Sequence, residues 1–267
     1  MMKMKRKKET LAMKKIMMLF VFALAMMMVQ AGNPGKEAQE MFLQGNEAYN
    51  AGNFDEALNI YKGVEEAGME SSALYYNMGN TYYKMREYAK SILYYEKALK
   101  LEPSNEDIQI NLAIANKAIV DKIDVIPQSF FVKGWHNLCA LFSPNGWAVV
   151  SLLLLGVMLL GLLLYLLSRR IGIRKLGFFA GLICAVLLLL SVLVSIKVQQ
   201  DMKSQDEAIV MTPTVTVKSS PNESSVDLFV LHEGTKVTLL DVAEGWNKVK
   251  IADGSVGWLE ASHLEAF

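Results

Sequence analysis

The sequence predicts a multidomain membrane protein in three structural parts: an all-α stack of helical hairpins, a two-helix transmembrane hairpin and a small all-β barrel. Three observations carry this. Residues 38–105 repeat themselves at an offset of 34, a period that belongs to stacked helical pairs. Two uncharged runs of 21 residues, 147–167 and 176–196, are as long as a bilayer requires. Beyond residue 207, short β-branched runs alternate with Ser-Pro, Glu-Gly and Asp-Gly, the punctuation of a small antiparallel barrel.

Residues 1–31 read as a signal peptide. Lys14-Lys15 precede the apolar stretch Ile16–Val29, and Val29-Gln30-Ala31 offers a small-residue cleavage site. Fourteen apolar residues are short for a permanent span, although an uncleaved anchor is the alternative. Met1 and Met13 are both workable starts. The residue after Ala31 is Gly32, so there is no cysteine for a lipid anchor.

Repeat units are expected at about 38–71 and 72–105, with a capping helix at 106–122, inside a domain of residues 36–122. With Gly45 on Gly79, Asn46 meets Asn80, Phe54 meets Tyr88, Ala57 meets Ser91 and Tyr61 meets Tyr95. A further step of 34 lands on Ala113. Small residues recur where the second helix of a hairpin crosses the first, and aromatics fill the space between hairpins. These residues resemble the tetratricopeptide repeat family, closely so at Tyr76, Met78, Gly79, Tyr82, Tyr88, Tyr95, Ala98 and Pro103. Met69 stands where that family usually has proline, and Arg86 where it has a turn glycine.

The resemblance implies a concave peptide-binding groove lined by the first helix of each unit: Phe42, Asn46, Tyr49, Tyr76, Asn77, Asn80, Tyr83, Asn111 and Lys117. Asn46, Asn77 and Asn80 either hydrogen-bond an extended ligand backbone or cap and solvate a structural stack, since an amide both donates and accepts. The basic residues with which some members grip a terminal carboxylate are replaced by Phe42, Asp107 and Asn111.

Residues 123–146 form an interfacial linker, with Trp135 and Trp147 suited to the half-wet membrane boundary. Ser143-Pro144 is a helix start. The spans 147–167 and 176–196 flank a loop, 168–175, that carries Arg169, Arg170, Arg174 and Lys175. Short basic loops stay cytoplasmic, so both polar regions face outward, the periplasm of a two-membrane bacterium. The spans hold no acid, base or amide, which argues against transport. Gly177, Gly181 and Ala185 share one face of the second span, where small residues let helices approach. Their neighbour is either the first span or a partner helix.

Residues 198–206 read as a polar linker, and 207–267 as the barrel. The order Val215, Val217, Ser220-Pro221, Leu231, Glu233-Gly234, Val237, Trp246, Val249, Asp253-Gly254, Gly257-Trp258, Leu264 resembles a bacterial SH3 domain. Trp258 is expected in the core. Trp246, after a Glu-Gly turn, is the surface candidate, either as a stacking face or as half-buried packing. His232 and His263 read as structural.

The formal charge is zero, yet residues 36–122 hold nine bases against 14 acids, and residues 201–267 hold five against 11. Acidic domains repel phosphate backbones, so nucleic acid is excluded as a partner. Cys139 and Cys184 make neither a disulfide framework nor a zinc site, and His136, one helical turn from Cys139, lacks companion ligands. No convergent acid, base and nucleophile set stands out, so the expectation is a non-enzyme without cofactor or metal. As a whole the chain resembles the E-protein family of the Bacteroides aerotolerance operon. That resemblance implies an inner-membrane scaffold acting with von Willebrand A-type proteins of the same operon, in aerotolerance or envelope stress. The alternative is a cell-wall sensor or anchor that binds peptidoglycan through the SH3-like domain.

Overall fold

The computed structural model of the protein describes residues 36–123 and 129–267. Residues 1–31, expected to be a signal peptide, lie outside them. Five helices open the described chain: α1 (Lys36–Asn50), α2 (Phe54–Glu66), α3 (Ser72–Lys84), α4 (Tyr88–Leu101) and α5 (Glu106–Ala118). They pack as two antiparallel hairpins, α1/α2 and α3/α4, closed by α5.

Each helix end has a local cause. The side chains of Ser71 and Asn105 accept from the backbone N–H of Leu74 and Ile108, which caps α3 and α5. At the end of α1, Gly52 turns left-handed at φ +82°, with Asn53 N–H donating to the Ala48 carbonyl. Thirty-four residues later Arg86 takes the same turn at φ +64°, with Glu87 N–H donating to Tyr82. Hydrogen bonding closes both helices in the same way, but arginine does it against its steric preference.

The hairpins interlock where a glycine meets a tyrosine ring. A Cβ on Gly45 would sit 2.5 Å from Tyr61, and one on Gly79 would sit 2.6 Å from Tyr95. Around these crossings Val64, Leu74, Met78, Ile92, Leu93 and Ile108 are fully buried. Ser91, the counterpart of Ala57, is also buried, and its hydroxyl donates to the Gly79 carbonyl at 2.9 Å. The third unit departs from the repeat. Ala113 is exposed, because the chain leaves α5 at Ala118 without forming a second helix to cross it, and Ile110 and Ile114 are exposed beside it.

Helix α6 (Phe130–Ala140) leads into α7 (Pro144–Leu167) and α8 (Ile171–Lys203). The hydroxyl of Ser143 caps α7 by accepting from Gly146 N–H. Trp147 is buried against Val194 and Val198, and its Nε1 donates to the Cys139 carbonyl at 3.1 Å. Both α7 and α8 are long and apolar enough to cross a membrane. They cross tightly at glycine: a Cβ on Gly177 would lie 2.6 Å from the Gly161 carbonyl oxygen.

Two sequence boundaries shift. The connection expected at 168–175 is only Ser168–Arg170, because Ile171–Arg174 already form the first turn of α8. The linker expected at 198–206 is helical as far as Lys203. The segment VQQDMK contains no breaker, and the Lys197–Asp201 ion pair at i,i+4 supports it.

The C-terminal part is a seven-stranded antiparallel sheet of order β3-β2-β6-β5-β4-β1-β7. Its strands are β1 (Glu207–Val210), β2 (Thr214–Lys218), β3 (Asp227–His232), β4 (Lys236–Ala243), β5 (Trp246–Lys250), β6 (Val256–Glu260) and β7 (Leu264–Ala266). Glu244 and Gly245, with φ of +45° and +85°, make the two-residue turn between β4 and β5, where such values match the strand twist. Val210, Val217, Leu231, Val237, Val249 and Leu259 form its core.

Helical stack and sheet meet in one seam. Ile209 and Phe267 are buried in the helical core, and Gly234 stands where a Cβ would lie 2.5 Å from Ile119. The Lys236 ammonium lies 2.9 Å from both Glu96 and Glu207 carboxylates. Burial drives the Glu96 carboxyl above its usual value against the pull of Lys236, while Lys236 itself is raised because the two carboxylates outweigh its own burial. Lys100 Nζ donates at 2.7 Å to the main-chain oxygens of Ser204 and Phe267, tying α4 to the end of α8 and to the sheet. Asp121 accepts from His232 N–H, pairs with His232 Nδ1 and accepts from the Thr235 hydroxyl, all within 2.8 Å. Burial alone would raise the Asp121 carboxyl, but these hydrogen bonds and the His232 charge hold it below its usual value.

Candidate protein-interaction site

On the inner face of the stack, the aromatic and amide residues repeat in space as they do in sequence. Phe42 leans on Tyr61 and Tyr76 on Tyr95, both at 6.0 Å between ring centres. Two turns further, Tyr49 packs on Phe54 at 5.5 Å and Tyr83 on Tyr88 at 5.6 Å. Each pair is its neighbour displaced by 34 residues. Positions 42, 46 and 49 on α1, and 76, 80 and 83 on α3, lie on one helical face by the i, i+4, i+7 rule.

The asparagines link adjacent hairpins. Asn46 Oδ1 accepts from the Tyr61 hydroxyl and from Asn77 Nδ2, both at 2.8 Å. Asn80 Oδ1 accepts from the Tyr95 hydroxyl at 2.6 Å and from Asn111 Nδ2 at 3.0 Å, and Asn111 also donates to Tyr76. Burial raises the Tyr61 phenol to about 12 and the Tyr95 phenol higher still, so both hydroxyls stay protonated as donors. Five of the expected groove residues, Asn46, Tyr76, Asn77, Asn80 and Asn111, are therefore already engaged with one another. The four asparagines are half-buried. These side chains thus form a fixed row on the first helices of the units: aromatic pairs flank hydrogen-bonded amides, and Lys117 is exposed on α5.

The sheet offers a second surface. Lys248 is the cross-strand partner of Trp258, and Trp246 that of Glu260. Paired residues share a face, so Trp246, Lys248 and Trp258 lie on the side opposite the buried Val249 and Leu259. Trp258 is accordingly not core. It is half-buried under Lys248, whose ammonium lies 6.0 Å from the ring centre, because Leu259 takes the inward position of the strand. Trp246 is half-buried beside it.

Gly177, Gly181 and Ala185 lie on α8. The first two meet α7 through Gly161 and Met158, and Ala185 is partly buried. The sequence did not mark Asp121: nothing nearby announces a partner, and His232 lies 111 residues away. No group of three metal-capable side chains comes together among the described residues.

Comparison with known proteins places a tetratricopeptide repeat at residues 72–105, the α3/α4 hairpin. Over 65 residues the chain is 34% identical to the human protein "Tetratricopeptide repeat protein 6", a match covering 24% of this chain and 12% of that one. The repeat is usually a protein-interaction module without catalysis.

Proposed function

We propose that this chain is a non-enzymatic inner-membrane scaffold that displays its repeat domain and an SH3-like barrel in the periplasm, where they assemble an aerotolerance or envelope-stress complex. Helices α7 and α8 are its membrane hairpin, Ser168–Arg170 its cytoplasmic turn, and residues 1–31 its export signal. Its partners are periplasmic or inner-membrane proteins, the von Willebrand A-type proteins of the same operon above all. The stress link and these partners come from the whole-chain family resemblance.

The seam between α4 and β1 carries the reading. The stack precedes the two long apolar helices and the sheet follows them, yet stack and sheet share a core. Two modules in contact need an even number of crossings between them, and the hairpin supplies two. The basic turn then selects the side.

The test is purification from native membranes in mild detergent with co-purifying proteins identified. Because Asn46, Asn77 and Asn80 pin the hairpins together, the groove is better disabled with Tyr49→Ser and Tyr83→Ser, checked for an unchanged fold. Partners that accompany the wild type and are lost from this variant support a scaffold working through its groove. Wall fragments without any protein partner would overturn the scaffold in favour of the second reading.

That second reading, a peptidoglycan sensor, is favoured by the two tryptophans on one outer face of the sheet. Sedimentation of the full chain with purified wall material, abolished by Trp246→Ala with Trp258→Ala, would establish it.

A further inference from the structure

The turn between α7 and α8 holds a surplus of charge that no carboxylate among the described residues answers. From Val125 to Gln200 there is no aspartate or glutamate, while Arg169, Arg170, Arg174 and Lys175 cluster at this one turn. Among the described residues, none of the four pairs with a carboxylate. Positive charge in a short loop explains orientation, but it does not call for a shaped site.

Here there is one. A groove of about 400 Å³ is lined by Tyr165, Ile171, Arg174, Lys175, Phe178 and Phe179. Its rim is cationic and its wall is apolar. The Arg174 guanidinium lies 5.3 Å from the centre of the Tyr165 ring, which orients it. Tyr165 in turn packs on Phe178 at 5.8 Å, and Phe178 meets Phe179 edge-on at 5.4 Å. Gly161 and Gly177 bring the two helices into contact. The groove is open to the outside: Ile171, Phe178 and Phe179 are 72%, 49% and 58% exposed. An arginine fork and a lysine beside exposed rings match a phosphate joined to hydrocarbon chains.

We propose that this groove binds one anionic phospholipid of the surrounding bilayer. Its phosphate sits between Arg174 and Lys175, its chains lie along Ile171, Phe178 and Phe179, and Arg169 and Arg170 stand outside the contact. This rests on the reading of α7 and α8 as a membrane hairpin. A free phosphate ion would leave the apolar wall unused, so the lipid is the occupant.

The full chain would be reconstituted in phosphatidylcholine bilayers doped with phosphatidylglycerol, released gently and weighed intact by native mass spectrometry. The expected result is one phosphatidylglycerol retained per chain. Retention should fall about tenfold in Arg174→Gln with Lys175→Gln, the loss of one or two charge-assisted hydrogen bonds. It should also fall in Phe178→Ser with Phe179→Ser, and persist in Arg169→Gln with Arg170→Gln. Equal loss in both charge variants would mean attraction by net charge alone and overturn the site, as would displacement of the lipid by inorganic phosphate. An alkaline wash separates the two readings. A chain that leaves the membrane overturns the hairpin and this site together, whereas one that stays without retaining lipid overturns only the site.

Discussion

Arg86 and Gly52 occupy equivalent left-handed turns 34 residues apart, and only one of them suits its backbone. A side chain at that φ costs about 1–2 kcal/mol, part of which glycine gives back through its freer unfolded chain. Arg86→Gly should therefore raise stability by about 0.5–1 kcal/mol, read as a higher denaturant midpoint with an unchanged slope. Asn80 tells the opposite story. Its oxygen is shared by Tyr95 and Asn111, so Asn80→Ala leaves a buried phenol without its acceptor and should cost about 1–3 kcal/mol by the same measurement. The exposed Ile110 offers a control for both: Ile110→Ser should change stability by less than about 0.5 kcal/mol.

Helices α7 and α8 touch backbone to backbone at one level, where Gly161 faces Gly177. A Cβ on Gly161 would approach the Gly177 carbonyl oxygen to 2.8 Å, a contact that the main chain cannot relieve by rotating a side chain. Gly161→Val should push the helices apart and cost about 1–3 kcal/mol, lowering the melting temperature of the full chain in detergent. The 34-residue period made the helical hairpins legible in the sequence, because Gly45, Gly79, Tyr61 and Tyr95 state the crossing twice. The run of α8 beyond Ile196 was not legible, because hydropathy reports where a bilayer ends and says nothing about where a helix does.

Stack, hairpin and sheet are joined by three polar ties: Lys236 between Glu96 and Glu207, Lys100 at Ser204 and Phe267, and Asp121 at His232 and Thr235. Lys236→Met leaves two carboxylates facing each other. A fully buried pair broken in this way loses about 3–5 kcal/mol, and the partial exposure of Lys236 reduces the expected loss to about 2 kcal/mol. Faster proteolytic cleavage near residues 119–123, with each module still folded, would mark it. The Asp121 tie should respond to acid. Its folded carboxyl titrates below the ordinary 3.8, so its contribution is complete above that pH and is lost as pH falls through the lower, folded value. The stability gap between the wild type and Asp121→Asn should close as pH falls below 3.8, and a gap that widened on that acidification would refute the sign.

The sequence by itself determined the parts: the repeat with its glycine–tyrosine crossings, two helices with the length and apolarity of membrane spans, and strands bounded by turns. Each of these is written within a few dozen residues as a period or a run, and local periodicity is what chain geometry makes readable. The tertiary structure decided what those parts do to one another. It turned the asparagines from a loose row into pins between hairpins, and it turned Trp258 outward because Leu259 claimed the core. It left Ala113 uncovered, and it brought Asp121 to His232 across 111 residues. Such contacts depend on how separate elements stack, and no period in the chain encodes the distance between two elements that meet only after folding.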